Sequence, residues 1–412
     1  MAGVRDAEVT IVGGGAIGCA VAYTLARAGY RDIQVVEQGE LAGATSGQAA
    51  GLVGQVRASR ERCRLAIASV AAYARIEQET GYPADWRQTG SVRIALTAER
   101  AAEFAALAAV ARSAGLEVEF LSAARLAGLC PMLDTSGIAA ALWCPTDGYL
   151  QPNSLVTAYA RAARDRGVTF ATRTTVTGLR IAGGAVRGVR TDQGAAATDT
   201  VINAAGPWAG AVARLAGLPL PVVPVRHEYF VTRAVAGWHA GLPVLRAPDL
   251  RLYARAEGPG ILCGGWEADG LSLDPRRVTI GQALTVRPDW EVLSGFAADF
   301  ARLAPPVTQA EVREVFRGFP AFSPDGRFIV GPVPGLRGFV MAAACNAHGV
   351  SGSAGLAEHV LESLQPGPSP YVRSLSPGRY LPQTWDWESA RAQAEQVYEN
   401  YYSLPAQPQQ AS

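Results

Sequence analysis

Apolar residues occur along this chain in two textures. Val9–Val12 is a continuous apolar run closed at once by Gly13-Gly14-Gly15-Ala16-Ile17-Gly18. An alanine-rich helical stretch covers Cys19–Ala28, and Ile33-Gln34-Val35-Val36 forms a second strand ending at Glu37. Uninterrupted apolar strands of this kind are covered on both faces, as in a parallel sheet flanked by helices. The texture returns in Asp147–Pro152, a helix through Leu155–Arg166, Val168–Thr174, and the strand and turn Thr200–Trp208. It returns again in Gly338–Ala343, which opens into Cys345–Ser351 and a helix to Leu364. The intervening stretches differ. Gly90–Leu96 is strand-like with a helix over Ala98–Ser113 behind it, and Pro221–Ala256 alternates apolar and polar residues between prolines, as an antiparallel sheet does. The pattern predicts an α/β fold. A discontinuous Rossmann-like nucleotide domain (1–85, 146–222 and 317–366) is interleaved with an α+β substrate domain on an antiparallel sheet (86–145 and 223–316). A C-terminal arm and disordered tail occupy 367–412, with Pro405–Ser412 low in complexity. The functional site is expected where the two domains meet.

The first strand, turn and helix carry a G-x-G-x-x-G motif followed by an acid about 20 residues on. Gly13 makes the tight turn, Gly15 admits a pyrophosphate, and Gly18 lets helix pack on strand. The phosphates face the positive end of the helix, and Glu37 is the acceptor for ribose hydroxyls. Ala42–Leu52 is small and hydroxylated, and the loop runs on to Arg57 where an NAD unit would begin its next strand and helix. Such a loop suits backbone lying flat against a ligand that reaches beyond the pyrophosphate.

From this loop onward the chain resembles the D-amino-acid-oxidase superfamily of FAD enzymes, and within it the flavin half of dimethylglycine and sarcosine dehydrogenases. Further blocks carry the likeness. They are Asn203–Trp208, Arg226–Thr232, Arg251–Arg255 with Ile261–Glu267, Ser323–Gly331, Arg379-Tyr380, and Arg391–Tyr402 near the end. The resemblance implies FAD held by Gly13, Gly15, Ala16, Ile17, Gly18, Glu37, Gln38, Thr45, Ser46, Gln48, Ala50, Gly51 and Leu52. Val176, Ala205, Gly206, Trp208, Gly318, His348, Gly349, Val350 and Ser351 complete that set. It places His227 beside the substrate as proton acceptor, with Tyr229 or Tyr253 as its hydrogen-bond partner, and His348 beside the isoalloxazine ring. Arg57 faces the flavin or a substrate carboxylate, or is a solvated anchor; Trp266 is an aromatic wall or core; His359 lies on the surface and His239 in a loop.

Three departures shape the expectation. Gly47-Gln48 stands where the dehydrogenases have a tryptophan-histidine pair carrying FAD covalently, and Gly318 where monomeric sarcosine oxidases have a cysteine, so FAD is expected to be noncovalent. All 37 basic residues are arginine, so the lysine those oxidases use with oxygen is absent. Phe319 stands where glycine and D-amino-acid oxidases clamp a carboxylate with arginine, although Arg317 is nearby. The implied reaction is oxidation of the CH–NH bond of a secondary or tertiary amine to an imine. The amine is N-methyl amino acid-like or a biosynthetic amine, and the electron acceptor is oxygen or an electron-transfer protein. The alternatives are a D-amino-acid or imino-acid dehydrogenase and the flavin subunit of a hetero-oligomer. In the dehydrogenases a folate-binding half follows, and the sequence ends before it.

Composition narrows the partners. A net charge of +1 over 412 residues offers no field for nucleic acid. Cys19, Cys63, Cys130, Cys144, Cys263 and Cys345 form no C-x-x-C pair, so no metal is expected and the compartment reads as reducing. The start lacks a signal pattern, and no apolar run is long enough for a membrane span. The expected setting is cytoplasmic, with oligomerisation left open.

Overall fold

The computed structural model describes residues 3–381 and 385–404. The predicted tail, Pro405–Ser412, lies outside them. Two large sheets organise the chain. The first has six strands in the order Ile329–Pro332, Phe339–Ala343, Thr200–Asn203, Val9–Val12, Ile33–Val36, Thr169–Ala171, all parallel but for the edge pair Ile329–Pro332 with Phe339–Ala343. The Val9–Val12 and Ile33–Val36 strands are buried throughout, which is why neither alternates. On the sheet lies the Ala16–Arg27 helix, buried from Ala16 to Leu25 and packed between helices Pro152–Arg164 and Ser353–Ser363. Alanine and glycine make this crowding feasible by holding the helices close. Both termini of the second helix precede the expected ones, because Pro152 sits in its first turn, where the missing N–H costs nothing.

The second sheet has eight strands, running from Val312–Gly318 through His227–Thr232, Gly260–Gly265, Leu252–Glu257, Val244–Ala247, Ser91–Ala95 and Ala140–Cys144 to Glu119–Phe120. It is not wholly antiparallel: Val244–Ala247 runs parallel to Ser91–Ala95, joining chain segments far apart in sequence. A three-stranded meander over Val176–Ala182, Ala185–Thr191 and Gly194–Ala196 has no counterpart in the predicted elements. Its signal was present: Gly183 and Gly184, at φ of 58° and 65°, join two alternating runs as in a two-residue hairpin. Among the described residues no helix is long and apolar enough to cross a membrane.

The C-terminal arm is the main surprise. Helix Trp387–Glu399 and the following turn pack on a small two-stranded sheet of Val223–Pro224 and Ala321–Phe322, burying Ala394, Tyr398 and Tyr402 with Val223, Val225, Trp266 and Phe322. Its tyrosines thereby reach the region between the sheets.

Candidate active site

One cleft, with about 1590 Å³ of atom-free space including that open to solvent at its mouth, runs from the glycine turn to the second sheet. At one end Gly13, with φ of 112°, leaves no space for a side chain, since a Cβ would stand 2.4 Å from the Ala204 carbonyl oxygen. A Cβ on Gly18 would lie 1.9 Å from the Gly13 carbonyl oxygen. Gly18 therefore does not line the cleft as a binding residue; it lets the helix seat behind the turn. Gly18→Ala is expected to push that turn out of shape and lower the flavin-to-protein ratio of the purified chain severely; undiminished flavin content would contradict this account.

Glu37 accepts backbone N–H bonds from Gly14 at 2.6 Å and Gly39 at 2.8 Å, fixing the loop over which a nucleotide would lie. Burial raises its pKa. Each oxygen retains acceptor capacity, and the residue lines the cleft. Ser46 accepts from the Ala16 N–H at 3.0 Å, so the small-residue loop folds back over the helix N-terminus. Gln38, Thr45, Gln48, Ala50, Gly51 and Leu52 continue this wall, with Val176, Ala205, Gly206 and Trp208 beyond it. Gly15, Ala16, Ile17, Gly349, Val350 and Ser351 also line the cleft. Gln48 and Gly318 meet there, since a Cβ on Gly318 would lie 3.3 Å from that of Gln48. Neither residue offers a nucleophile. A glycine cradle, a helix N-terminus and an extended small-residue wall fit an FAD molecule along this surface.

At the other end the side chains are polar and aromatic. His227 is hydrogen-bonded on both ring nitrogens, Nε2 to the Tyr253 hydroxyl at 2.8 Å and Nδ1 to the Tyr398 hydroxyl at 3.2 Å. Burial lowers its pKa to about 4 and raises those of both tyrosines well above the usual value. The ring is therefore neutral at pH 7 and the phenols keep their protons. Tyr229 does not partner His227 and does not line the cleft. Its hydroxyl donates to the Ala49 carbonyl at 3.2 Å while Arg255 donates to the Ala50 carbonyl at 2.7 Å, so the two pin the loop. The alternation of the His227–Thr232 strand sends His227 and Tyr229 to one face, but Tyr229 stops one layer short, stacked on Phe316.

His348 is buried, with Nδ1 2.7 Å from the Asn346 carbonyl. A carbonyl only accepts, so the proton sits on Nδ1, and Nε2 accepts from the Tyr401 hydroxyl at 3.1 Å. Burial and the charges of Arg57, Arg62 and Arg246 hold its pKa well below the ordinary range. Its bonding is thus that of a neutral residue fixing the loop. Tyr401 stacks on Trp266 at 3.7 Å between ring centroids, and both line the cleft. His359 is half-buried rather than on the surface, 3.6 Å from Glu362. His239 accepts from the Gly241 N–H in its loop.

Two guanidiniums complete the lining. Arg57 and Arg246 both face the cleft, and among the described residues neither makes an ion pair with a carboxylate. Arg246 is 7% exposed, donates to the Tyr402 hydroxyl at 3.1 Å, and has its Nε without a partner. Desolvation lowers the pKa of Arg57 to about 10. Neither Phe319, which is buried, nor Arg317 lines the cleft. Arg246 and Tyr401 escaped the sequence reading, although a lone cation within the apolar strand Val244-Leu245-Arg246-Ala247 was a signal.

Neutral buried histidine has a consequence for stability. A histidine in the unfolded chain titrates near 6.5, whereas folded His227 takes its proton only near 4. Between those values the unfolded state binds more protons, so stability falls as pH drops through that window. Buried Glu37, Glu228 and Glu267, whose pKa values are raised, act in the opposite sense, so the test is a comparison with His227→Asn: the wild-type urea midpoint is expected to fall further than the variant's from pH 7 to pH 4.5, and parallel profiles would show that the histidine is not held neutral.

The comparisons agree with this geometry. The human sarcosine dehydrogenase (Homo sapiens, mitochondrial) is 31% identical over 84% of this chain and 38% of its own length. The dimethylglycine dehydrogenase of Rattus norvegicus is 30% identical over 97% of this chain and 48% of its own. The chain thus spans less than half the length of these relatives. The structure of L-proline dehydrogenase from P. horikoshii superposes with a TM-score of 0.83 over 91% of this chain and 98% of that one at 23% identity, a likeness of fold. The family model for FAD-dependent oxidoreductases matches residues 8–363. With that match spanning both sheets and all of the cleft's lining but Tyr401, the chain belongs to the DAO family of FAD-dependent oxidoreductases.

Proposed function

We propose that this chain oxidises a secondary or tertiary amine bearing a carboxylate, an N-alkyl amino acid in the widest sense. The observation that carries the reading is the pair of unpaired guanidiniums, Arg57 and Arg246, in the same cleft as the neutral His227–Tyr253 pair. A buried cation without an anion is costly, and a substrate carboxylate would remove that cost. The positive field also disfavours an ammonium group, so a bound amine loses its proton more readily. Tyr253 and His227 offer the acceptor. Trp266 and Tyr401 supply aromatic faces that exclude water from the amine's alkyl groups. When bound, FAD supplies the hydride-accepting ring, held noncovalently by the glycine turn and small-residue wall. The sequence has no lysine to assist oxygen, and an electron-transfer protein is the favoured acceptor.

The test is anaerobic bleaching of the flavin's visible band with sarcosine, dimethylglycine, D-alanine and D-proline offered separately, followed by air. Bleaching by the N-methyl compounds, with slow recolouring, is the expected result. Bleaching by the D-amino acids alone would overturn the reading. Acid precipitation is expected to release all flavin into the supernatant, since neither Gln48 nor Gly318 can bond it; yellow precipitate would disprove noncovalent binding.

A further inference from the structure

Arg246 belongs to a group of four guanidiniums at the polar end of the cleft. Within the second sheet it is the direct partner of Arg93, where Val244–Ala247 runs beside Ser91–Ala95. Like charges placed opposite each other on neighbouring strands are destabilising. Arg93 donates to the Val56 carbonyl at 2.8 Å, and Arg57 reaches the same oxygen at 3.4 Å. Arg57 then joins Arg62 in lining a second, smaller compartment with about 230 Å³ of atom-free space, its open side included. Phe328 also lines it, with the Arg62 guanidinium 5.9 Å from the ring centre. This compartment shares Arg57, His348 and Ser351 with the cleft, so the two spaces adjoin at Arg57.

The group is short of negative charge. Among the described residues none of the four guanidiniums has a carboxylate at ion-pair distance. Asp147 favours the charge of Arg246, but its two oxygens are already bonded to Gln55 and Ser91. Burial would raise the pKa of the Tyr401 phenol, yet Arg57, Arg246, Arg62 and Arg93 together bring it below its usual value. A single substrate carboxylate at Arg246 therefore leaves Arg57 and Arg62 without a counter-charge, in a compartment of their own. Uncompensated charge away from water is costly, and a second anionic group there removes the cost.

We propose that the substrate amine carries two carboxylates, one held by Arg246 in the cleft and the other by Arg57 and Arg62 in the smaller compartment. The inference rests on the amine reading above and narrows it to N-alkyl derivatives of dicarboxylic amino acids. Arg57 stands between the two positions, so the second carboxylate belongs to a short side chain of the same molecule. Arg62 lines only the smaller compartment and is a specificity-determining residue.

Two measurements test this. The first requires no oxidation. Succinate and glutarate are titrated into the oxidised holoprotein beside their monoamides, with binding read from the shift of the flavin's visible band. At one or both lengths the diacid is expected to bind about tenfold more tightly than its monoamide, a preference between those of exposed and buried ion pairs. Arg62→Gln should abolish that preference at unchanged flavin content. Equal binding of diacid and monoamide at both lengths, or no binding of either, would overturn the inference.

The second is anaerobic flavin reduction by both enantiomers of N-methylaspartate and N-methylglutamate. Their side-chain amides, Nα-methylasparagine and Nα-methylglutamine, are the controls for bulk, and sarcosine is the reference with one carboxylate. The diacids are expected to reduce the flavin about tenfold more efficiently than the amides. Arg62→Gln should remove that factor and leave reduction by sarcosine as it was. Reduction by sarcosine with no advantage of diacid over amide would sink the dicarboxylate inference and leave the amine reading standing. An advantage that survives in Arg62→Gln would take Arg62 out of the site. Failure of every N-methyl amino acid to reduce the flavin would sink the amine reading itself.

Discussion

Replacing His227 with asparagine is expected to slow the anaerobic reduction of bound flavin by about 10²- to 10⁴-fold at neutral pH, the usual range for a lost acid–base group. The reason lies in the hydrogen bonds rather than in the ring's basicity. A histidine with a pKa near 4 is a weak base in isolation. Here Nε2 lies 2.8 Å from the Tyr253 hydroxyl and Nδ1 3.2 Å from that of Tyr398, so a proton gained at one nitrogen can be matched by one released at the other and the imidazolium need not accumulate. The buried phenols depend on it, for without the ring Tyr253 keeps a proton it cannot pass on. Tyr253→Phe, which preserves the aromatic packing, should show a loss of the same order. In both variants the rate should recover as pH rises and the amine arrives deprotonated, while the affinity for the carboxylate end stays near that of the wild type. Equal loss at all pH values, with weakened binding, would mean that His227 shapes the cleft and moves no proton.

The second large effect is on binding. Arg246→Gln removes the buried charge proposed to meet the substrate carboxylate. Truncating one member of a buried, hydrogen-bonded charge pair costs about 2–5 kcal/mol, or about 30- to several thousand-fold in affinity. The free protein loses less, because Arg246 makes no ion pair among the described residues, but its hydrogen bond to the Tyr402 hydroxyl and the nearby Asp147 carboxylate favour its charge, so a modest loss of stability is expected. The variant is predicted to fold with only modestly lower stability, bind FAD normally, and lose affinity chiefly for carboxylated amines. Calorimetric unfolding and anaerobic titration separate these outcomes. A variant that binds dimethylglycine as tightly as the wild type would remove Arg246 from the substrate site.

The parts of this architecture that were legible in the sequence are those governed by local spacing. The strand, glycine turn, helix and Glu37 are consecutive, and each obeys short-range rules of packing and backbone freedom. His227 and Tyr253 were legible through resemblance, and the structure places them 2.8 Å apart. Tyr229 was misplaced because period-two alternation fixes the face of a strand and not how far a side chain reaches. The arm was harder. Tyr398, Tyr401 and Tyr402 recur at helical spacing (a sign of one buried face), yet nothing local says which surface that face covers. Their arrival beside His227, His348 and Arg246 depends on Trp266, Val223 and Phe322, contributed by separate stretches of chain. The same holds for Val244–Ala247, whose parallel partner, Ser91–Ala95, is remote in sequence.

The most direct test of the central claim is a paired anaerobic reduction of the holoprotein by dimethylglycine and by trimethylamine, which shares the methyl–nitrogen bonds but lacks the carboxylate. Dimethylglycine is expected to bleach the flavin with saturable kinetics, whereas trimethylamine should do so only feebly and at far higher concentration. Arg246→Gln is expected to bring the two together. Equal reduction by both amines in the wild type, or by neither, would contradict a site built to hold a carboxylated amine between its arginines and the His227–Tyr253 pair.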